Sequence, residues 1–199
     1  AMKPEVVIAN VAGIEQTALR EQANEFGADK DAHWVFPQQD YADLFALQPQ
    51  KRFGYFTTTW YHTLTDPGAQ DFVQRFKKRW TGAQIEIPTN VSCNGYIAVR
   101  ELFRAIERAE TTRNHEVIKA LEGHVIKDNF RKYPSTIREW DHLCASMIFL
   151  ARAKKPNEMA DKYDLMTLIS DIPPEQISPP KEISKCKMQS FAETPVYGG

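Results

Sequence analysis

The sequence lacks most of the patterns on which catalysis or metal binding usually depends. Its three cysteines, Cys93, Cys144 and Cys186, form no CxxC pair and have no histidine at a zinc-ligand spacing, so no metal is expected. The glycine-rich motifs GxGxxG and GxxxxGKS and the serine motif GxSxG are also absent. We therefore expect neither an enzyme nor a bound cofactor.

The sequence also lacks long apolar runs and an excess of charge of one sign. No stretch approaches the roughly 18 apolar residues of a membrane span, and no charged-then-apolar leader is seen. With 25 lysines and arginines against 26 aspartates and glutamates, the formal net charge is -1. No overall field attracts nucleic acid or anionic lipid. We expect a soluble chain, mature or cut, with no nucleic-acid partner.

The cysteines and histidines leave one question open. An odd number of cysteines fits either reduced thiols or one disulfide with a free thiol, and a bridge between Cys144 and Cys186 would indicate an oxidising compartment. Asp141, His142 and Cys144 are close in sequence, but neighbours in a strand point to opposite faces and do not converge on one substrate.

The first 60 of the 199 residues predict a β-α-β-α-β series. Short apolar runs predict the strands, and amphipathic spacing with a terminal Gly27 predicts the first helix. The strands are predicted at 5–10, 33–36 and 53–60, with helices at 14–26 and 40–47. Short connections of this kind favour a parallel sheet with helices on its faces.

The rest of the sequence predicts three helices and then three strands. The helices are expected at 66–80, 94–109 and 114–122, and the strands at 136–140, 147–153 and 165–170. Asp66 and Pro67 form a helix start, and Asn114 caps the third helix. The expected buried stripes are Phe72, Val73, Phe76 and Trp80 in the first helix, and Tyr96, Val99, Phe103 and Ile106 in the second. The proline-rich tail, 172–199, is expected to be extended.

Several segments together resemble one family. In order, they are KPEVVIANVAG, GYFTTTWY, DFVQRFKKRW, GYIAVRELFRAIERAE, VIKALEG and TIREWDH. Their order and spacing are similar to the carboxyl-terminal half of branched-chain amino-acid-binding proteins, the type I periplasmic receptors of ABC importers. The resemblance implies an α/β fold with Rossmann-like parallel-sheet lobes, incomplete at the amino terminus, and an abrupt entry into the first strand suggests a fragment.

The resemblance also implies how the chain is divided and what it works with. Residues 1–62 and 146–199 would belong to the second lobe and 63–145 to the first, with the chain leaving one lobe for the other after Trp60. The implied partners are a small-molecule solute and a transporter permease, in the periplasm.

Ligands of parallel α/β sheets bind beyond the carboxyl ends of the strands. The resemblance places the solute at loop residues Asn10, Val11, Ala12, Gln38 and Gln39, and at Val91 and Asn94 ahead of a helix whose free N–H groups would suit an anion. The segment 91–94 fits a simple capped turn equally well, and Gln38 and Gln39 also fit polar turn residues beside a proline. Gln38 stands where amino-acid receptors have an acidic residue. Because a neutral amide cannot balance a buried ammonium, an amide, an aromatic acid or another small polar solute is expected.

Two alternatives stay open at this point. Trp60 and Tyr61 either form an apolar wall of the solute site or pack at the crossing between lobes, and aromatic residues in strands are usually core. The chain is either a solute-binding component or an interaction module of the same fold, which would bind no small molecule and cover its exposed sheet edges as a homodimer.

Overall fold

The computed structural model describes residues 3–188, which form two sheets and six α-helices. In chain order the elements are β1 (Val6–Ile8), α1 (Gly13–Glu25), β2 (His33–Phe36), α2 (Tyr41–Ala46), β3 (Tyr55–Thr58), α3 (Pro67–Arg79), α4 (Asn90–Ala109), α5 (Asn114–Leu121), β4 (Val125–Ile126), β5 (Ser135–Ile137), β6 (Cys144–Ala145), β7 (Ile148–Ala153), β8 (Met166–Ile172) and α6 (Pro174–Ile177). Short 3-10 turns lie between several of them.

The larger sheet has five strands in the order β1-β2-β3-β7-β8. The strands β1, β2 and β3 are parallel, as the sequence predicts, with Val35 opposite Tyr55. The chain then returns antiparallel, because Phe56 pairs with Ala151 and β8 continues in hairpin fashion. The smaller sheet, β4-β5-β6, is antiparallel throughout. The larger sheet is therefore mixed rather than wholly parallel.

Two hydrophobic clusters hold these elements together. The first joins the large sheet to its helices, with Phe36, Leu44 and Phe56 fully buried. The second joins Trp60 to α3, α4 and the small sheet. Residues of 63–145 supply most of the second cluster, although Ile87 packs into the first. The division of the chain into two lobes stays a prediction.

The helix α4 differs from its prediction in both start and orientation. It begins at Asn90, four residues early, because the Thr89 side chain accepts a hydrogen bond from Ser92 N and caps it. Its buried residues include Cys93, Ile97, Glu101 and Ala105. The predicted inner stripe is wrong at two positions, since Val99 is 54% and Phe103 is 61% exposed.

Smaller differences occur elsewhere. In α3, Pro67 opens the helix and Phe72 and Val73 are buried, but Asp66 makes no side-chain cap and Trp80 is 56% exposed. The helix α5 starts at Asn114, so Arg113 takes the cap position. The tail is helical at Pro174–Ile177 rather than extended, and its last eleven residues, 189–199, lie outside the described part.

Within residues 3–188, none of the helices combines the length and apolar character needed to cross a membrane.

The first turn of α3 depends on a glycine. Gly68 N donates to Asn129 O at 3.0 Å, and an added Cβ would lie 2.8 Å from that oxygen and closer still to Asp128 O. Because both neighbours are backbone, Gly68→Ala is expected to lower the free energy of unfolding by about 1–3 kcal/mol, as overpacking does. Urea denaturation measures the change.

Gly95 provides the matched control, because it lies within α4 and an added Cβ there meets nothing within 4 Å. Gly95→Ala is expected to raise the free energy of unfolding by up to about 1 kcal/mol through helix propensity. Equal stability of the two variants would contradict the close approach at Gly68.

Candidate functional site

The loops after β1 and β2 lie at the same edge of the sheet. Asn10, Val11, Ala12 and Gln38 are all exposed there. The helix α1 follows at once. Its cap residue, Ala12, offers no side-chain hydrogen bond, but the Asp43 carboxylate accepts from the N–H of Gly13, the first helical residue. This edge thus offers exposed polar groups to a solute.

Gln16 holds these two loops together. Its side chain is 1% exposed, and Nε2 donates to Val11 O at 2.9 Å and to Gln38 O at 3.0 Å. A single buried amide therefore satisfies one carbonyl from each predicted solute loop, which fixes the distance between them.

Gln39 points away from this edge. Its side chain is fully buried, Oε1 accepts from Arg20 Nη1, and Nε2 donates to Asp40 O at 2.7 Å. Gln38 and Gln39 were predicted together as solute contacts, but only Gln38 reaches solvent in this conformation. Gln39 instead stabilises the loop between β2 and α2 through these buried hydrogen bonds.

Arg20 is a fully buried cation that forms no contact ion pair among residues 3–188, and the Asp43 carboxylate acts on it only at longer range. Its guanidinium carbon lies 3.7 Å from the centre of the Phe36 ring, and Nη1 also donates to Gln16 Oε1 at 3.3 Å. Nε and Nη2 have no hydrogen-bond partner. Burial lowers the pKa of Arg20 to about 9, so the side chain is charged at neutral pH.

The start of α4 joins the same network. Asn90 Oδ1 accepts from the buried Tyr41 N at 3.1 Å, and Nδ2 donates to Gln39 O at 3.4 Å. The first residue of α4 therefore satisfies the backbone of the loop between β2 and α2.

Trp60 and Tyr61 are 1% and 2% exposed. Trp60 packs edge-on against Phe72 in the second cluster. The Tyr61 hydroxyl donates to Tyr163 O at 3.2 Å and accepts from Leu165 N at 2.9 Å. In this conformation both rings are core residues at the crossing, which is the second of the two alternatives left by the sequence.

Val91 and Asn94 lie within α4, not in a loop ahead of it, because the helix begins at Asn90. Val91 is 53% exposed. Asn94 Nδ2 donates to Thr59 Oγ1 at 2.9 Å, and its Oδ1 accepts from Arg131 Nη2 at 2.6 Å. The expectation of free helix N–H groups after Asn94 is therefore wrong.

The cysteines, Asp141 and His142 were the residues weighed for a disulfide, a metal site or catalysis. All three cysteines are free thiols, so Cys144 and Cys186 give no sign of an oxidising compartment. Asp141 pairs with Arg138, and His142 Nε2 lies 2.9 Å from Glu122 Oε1. Among residues 3–188, no group of three or more acidic, histidine or cysteine side chains could hold a metal ion.

Three residues of this network, Gln16, Arg20 and Asn90, were not predicted from the sequence. A signal existed for the first two, since Gln16 and Arg20 lie four residues apart and share the buried face of α1 with Ala23. Polar residues on an apolar face indicate a buried hydrogen-bond network. Nothing local marked Asn90, whose partners lie about 50 residues away.

Comparison with known proteins identifies the class of protein. The sequence pattern of the family described as periplasmic binding protein matches residues 1–158. This match covers more than half of the chain, and the chain belongs to that family. No curated protein sequence matches significantly.

Solved structures show the same fold at low sequence identity. An amino acid ABC transporter substrate-binding protein from Pseudomonas fluorescens matches with a TM-score of 0.79 and 20% identity, over 94% of this chain and 48% of its own. A branched chain amino acid ABC transporter periplasmic ligand-binding protein from Burkholderia xenovorans gives 0.77 and 22%, over 92% and 48%. An ABC transporter solute binding protein from Rhodopseudomonas palustris, in complex with 3,4-dihydroxy benzoic acid, gives 0.70 and 16%, over 86% and 46%.

The fold is thus that of type I periplasmic binding proteins, and the resemblance found in the sequence is confirmed. The chain spans about half the length of these solved relatives.

His62 makes the crossing sensitive to acid. Its ring lies 4.4 Å from that of Tyr61 and 6.0 Å from that of Tyr41, and Nδ1 is buried without a partner. Burial lowers the pKa of His62 to about 4 from 6.5. Since the unfolded chain binds the proton more readily, stability is lost as pH falls from 6.5 to 4, by up to about 3 kcal/mol.

We expect His62→Gln to remove this part of the acid destabilisation, as measured by urea denaturation between pH 7 and pH 4. His33→Gln is the control, because it makes the same replacement at an exposed histidine on β2. A wild-type profile in His62→Gln would show that His62 is not the group responsible.

Asn90→Ala tests the link between α4 and the second loop. It leaves the buried Tyr41 N–H without an acceptor, so the free energy of unfolding is expected to fall by about 1–3 kcal/mol. If Asn90→Ala costs no more than Asn114→Ala, at the exposed start of α5, the link contributes nothing to stability.

Proposed function

We propose that the chain acts in solute binding for an ABC transporter, with a small polar solute held at the carboxyl edge of β1, β2 and β3. The observation that carries the proposal is that Asn10, Ala12 and Gln38 are exposed together at the start of α1, in a chain of the periplasmic binding protein family. No group of this edge requires a catalytic role, and binding rather than catalysis is proposed.

The chemistry of the edge favours a solute without an ammonium group. Gln38 is neutral and exposed, and its amide can both donate and accept hydrogen bonds. An amide or an aromatic acid meets this requirement better than a zwitterionic amino acid does. The solved relative from Rhodopseudomonas palustris was obtained with 3,4-dihydroxy benzoic acid, which is consistent with that preference.

The remaining parts of the proposal follow from the family. Solute-binding proteins deliver their cargo to a membrane permease, so we propose a permease as partner and the periplasm as location. No observation favours the alternative interaction module, and the homodimer stays a prediction from the sequence.

Calorimetric titration of the chain with leucine, isovaleramide, benzamide and 3,4-dihydroxy benzoic acid tests the proposal. We expect an amide or the aromatic acid to bind more tightly than leucine. Gln38→Glu introduces a carboxylate that can pair with an ammonium, so it is expected to raise the affinity for leucine about tenfold. Gln48→Glu, in the exposed turn after α2, is the control and should change nothing. Absence of binding by all four compounds, or equal behaviour of the two variants, would overturn the proposal.

A further inference from the structure

A second concave site lies between α4 and the small sheet. It is a cavity of about 410 Å³ whose walls are mainly apolar, including Ile97, Leu102, Ile126 and Ile137. A closed apolar cavity of about 150 Å³ already admits benzene, so this one has room for a benzene ring with a polar substituent. Of the predicted solute residues only Asn94 lines it, so this site goes beyond the proposed edge.

Polar groups converge at one part of the cavity wall. Arg131 Nη2 donates to Asn94 Oδ1 at 2.6 Å, and Nη1 lies 3.5 Å from Ser135 Oγ. Ser146 also donates to Ser135 Oγ, at 2.8 Å. Ser135 is 6% exposed and accepts from both neighbours, and its own proton has no acceptor among residues 3–188. The Ser135 hydroxyl is thus an unused hydrogen-bond donor in a buried position.

Arg131 brings a positive charge that the rest of the described chain does not balance. It forms no ion pair within residues 3–188, and its Nε is buried without a hydrogen-bond partner. A half-buried cation of this kind is costly unless an anion accompanies it.

The one acidic group of the cavity wall is already neutralised. Glu101 accepts from Arg100 at 3.0 Å and from Arg104 at 2.9 Å, and its other oxygen lies 3.0 Å from His124 Nε2. Burial alone would raise the pKa of Glu101, but the hydrogen bonds from His124 and Arg100 outweigh it and lower that pKa. Glu101 therefore does not serve as the counter-ion of Arg131.

We propose that this cavity binds a small amphipathic carboxylate, whose anionic group contacts the Arg131 guanidinium and the Ser135 hydroxyl while its apolar body lies against Ile97, Leu102 and Ile126. The charge balance selects an anion, because Arg131 has no counter-ion. The apolar walls select a ring or branched chain over a fully polar anion. A planar carboxylate also matches the fork of a guanidinium.

Titration calorimetry with benzoate and benzamide tests the charge requirement, since the two differ mainly in that charge. We expect benzoate to bind at least about tenfold more tightly than benzamide, and Arg131→Gln to remove the difference. Arg113→Gln, at the exposed start of α5, is the matched control and should bind benzoate like the wild type. Arg131→Lys, which keeps the charge without the fork, should fall between them.

Cys144 lines the cavity and reports where the ligand binds. In a Cys186→Ser background, Cys144 is the exposed thiol, because Cys93 is fully buried. We expect saturating benzoate to slow the reaction of Cys144 with neutral iodoacetamide about tenfold, and benzamide at the same concentration to slow it much less.

Three results would overturn the proposal. They are equal affinity for benzoate and benzamide, unchanged benzoate affinity in Arg131→Gln, and an unprotected Cys144 under saturating benzoate. If Arg131→Gln does not fold, Arg131→Lys and Ser135→Ala carry the same comparison. A dimer by light scattering that binds no benzoate would also overturn it. The Gln38→Glu titrations test the proposed solute edge separately from this cavity.

Discussion

The fold of this protein depends on a network of buried hydrogen bonds that runs from α1 to α4. Gln16 holds the loops after β1 and β2, Arg20 joins Gln16 to Gln39, and Asn90 carries the link to the first turn of α4. Each member satisfies backbone or amide groups that would otherwise be buried without partners. Because the members come from elements far apart in sequence, the network fixes how the large sheet meets the helices of the second cluster.

Arg20 is the costly member of that network. A buried guanidinium without a carboxylate in contact is tolerated here because the Phe36 ring centre lies 3.7 Å away and two amide oxygens accept from Nη1. Two of its nitrogens remain unpaired. The network that Arg20 completes holds the loops at the proposed solute edge in place before any solute arrives. Less ordering of these loops is therefore needed on binding.

The order of elements in the first 60 residues could be predicted because their signals are local, although Ile14 and Phe26, expected on the apolar face of α1, are 85% and 84% exposed. Apolar strands and Gly27 specify β1, α1, β2, α2 and β3 without reference to distant partners. The exposed side of α4 could not be predicted, since Val99 and Phe103 look like core while Glu101 looks like surface. Arg100 and Arg104 on α4, with the His124 ring just ahead of β4, make Glu101 the buried residue. The burial of Gln39 rather than Gln38 likewise depends on Arg20, a contact with no local signature.

The two proposed sites share one rigid element. Asn90 and Asn94 lie one turn apart in α4, so both side chains project from the same side of the helix. Asn90 contacts the loop network, while Asn94 contacts Thr59 at the end of β3 and Arg131 at the cavity. The start of α4 therefore joins a neutral, hydrogen-bonding edge to a cationic, largely apolar cavity. Because the two sites differ in charge and polarity, they select different chemical groups, and a helix of 20 residues holds their relative position.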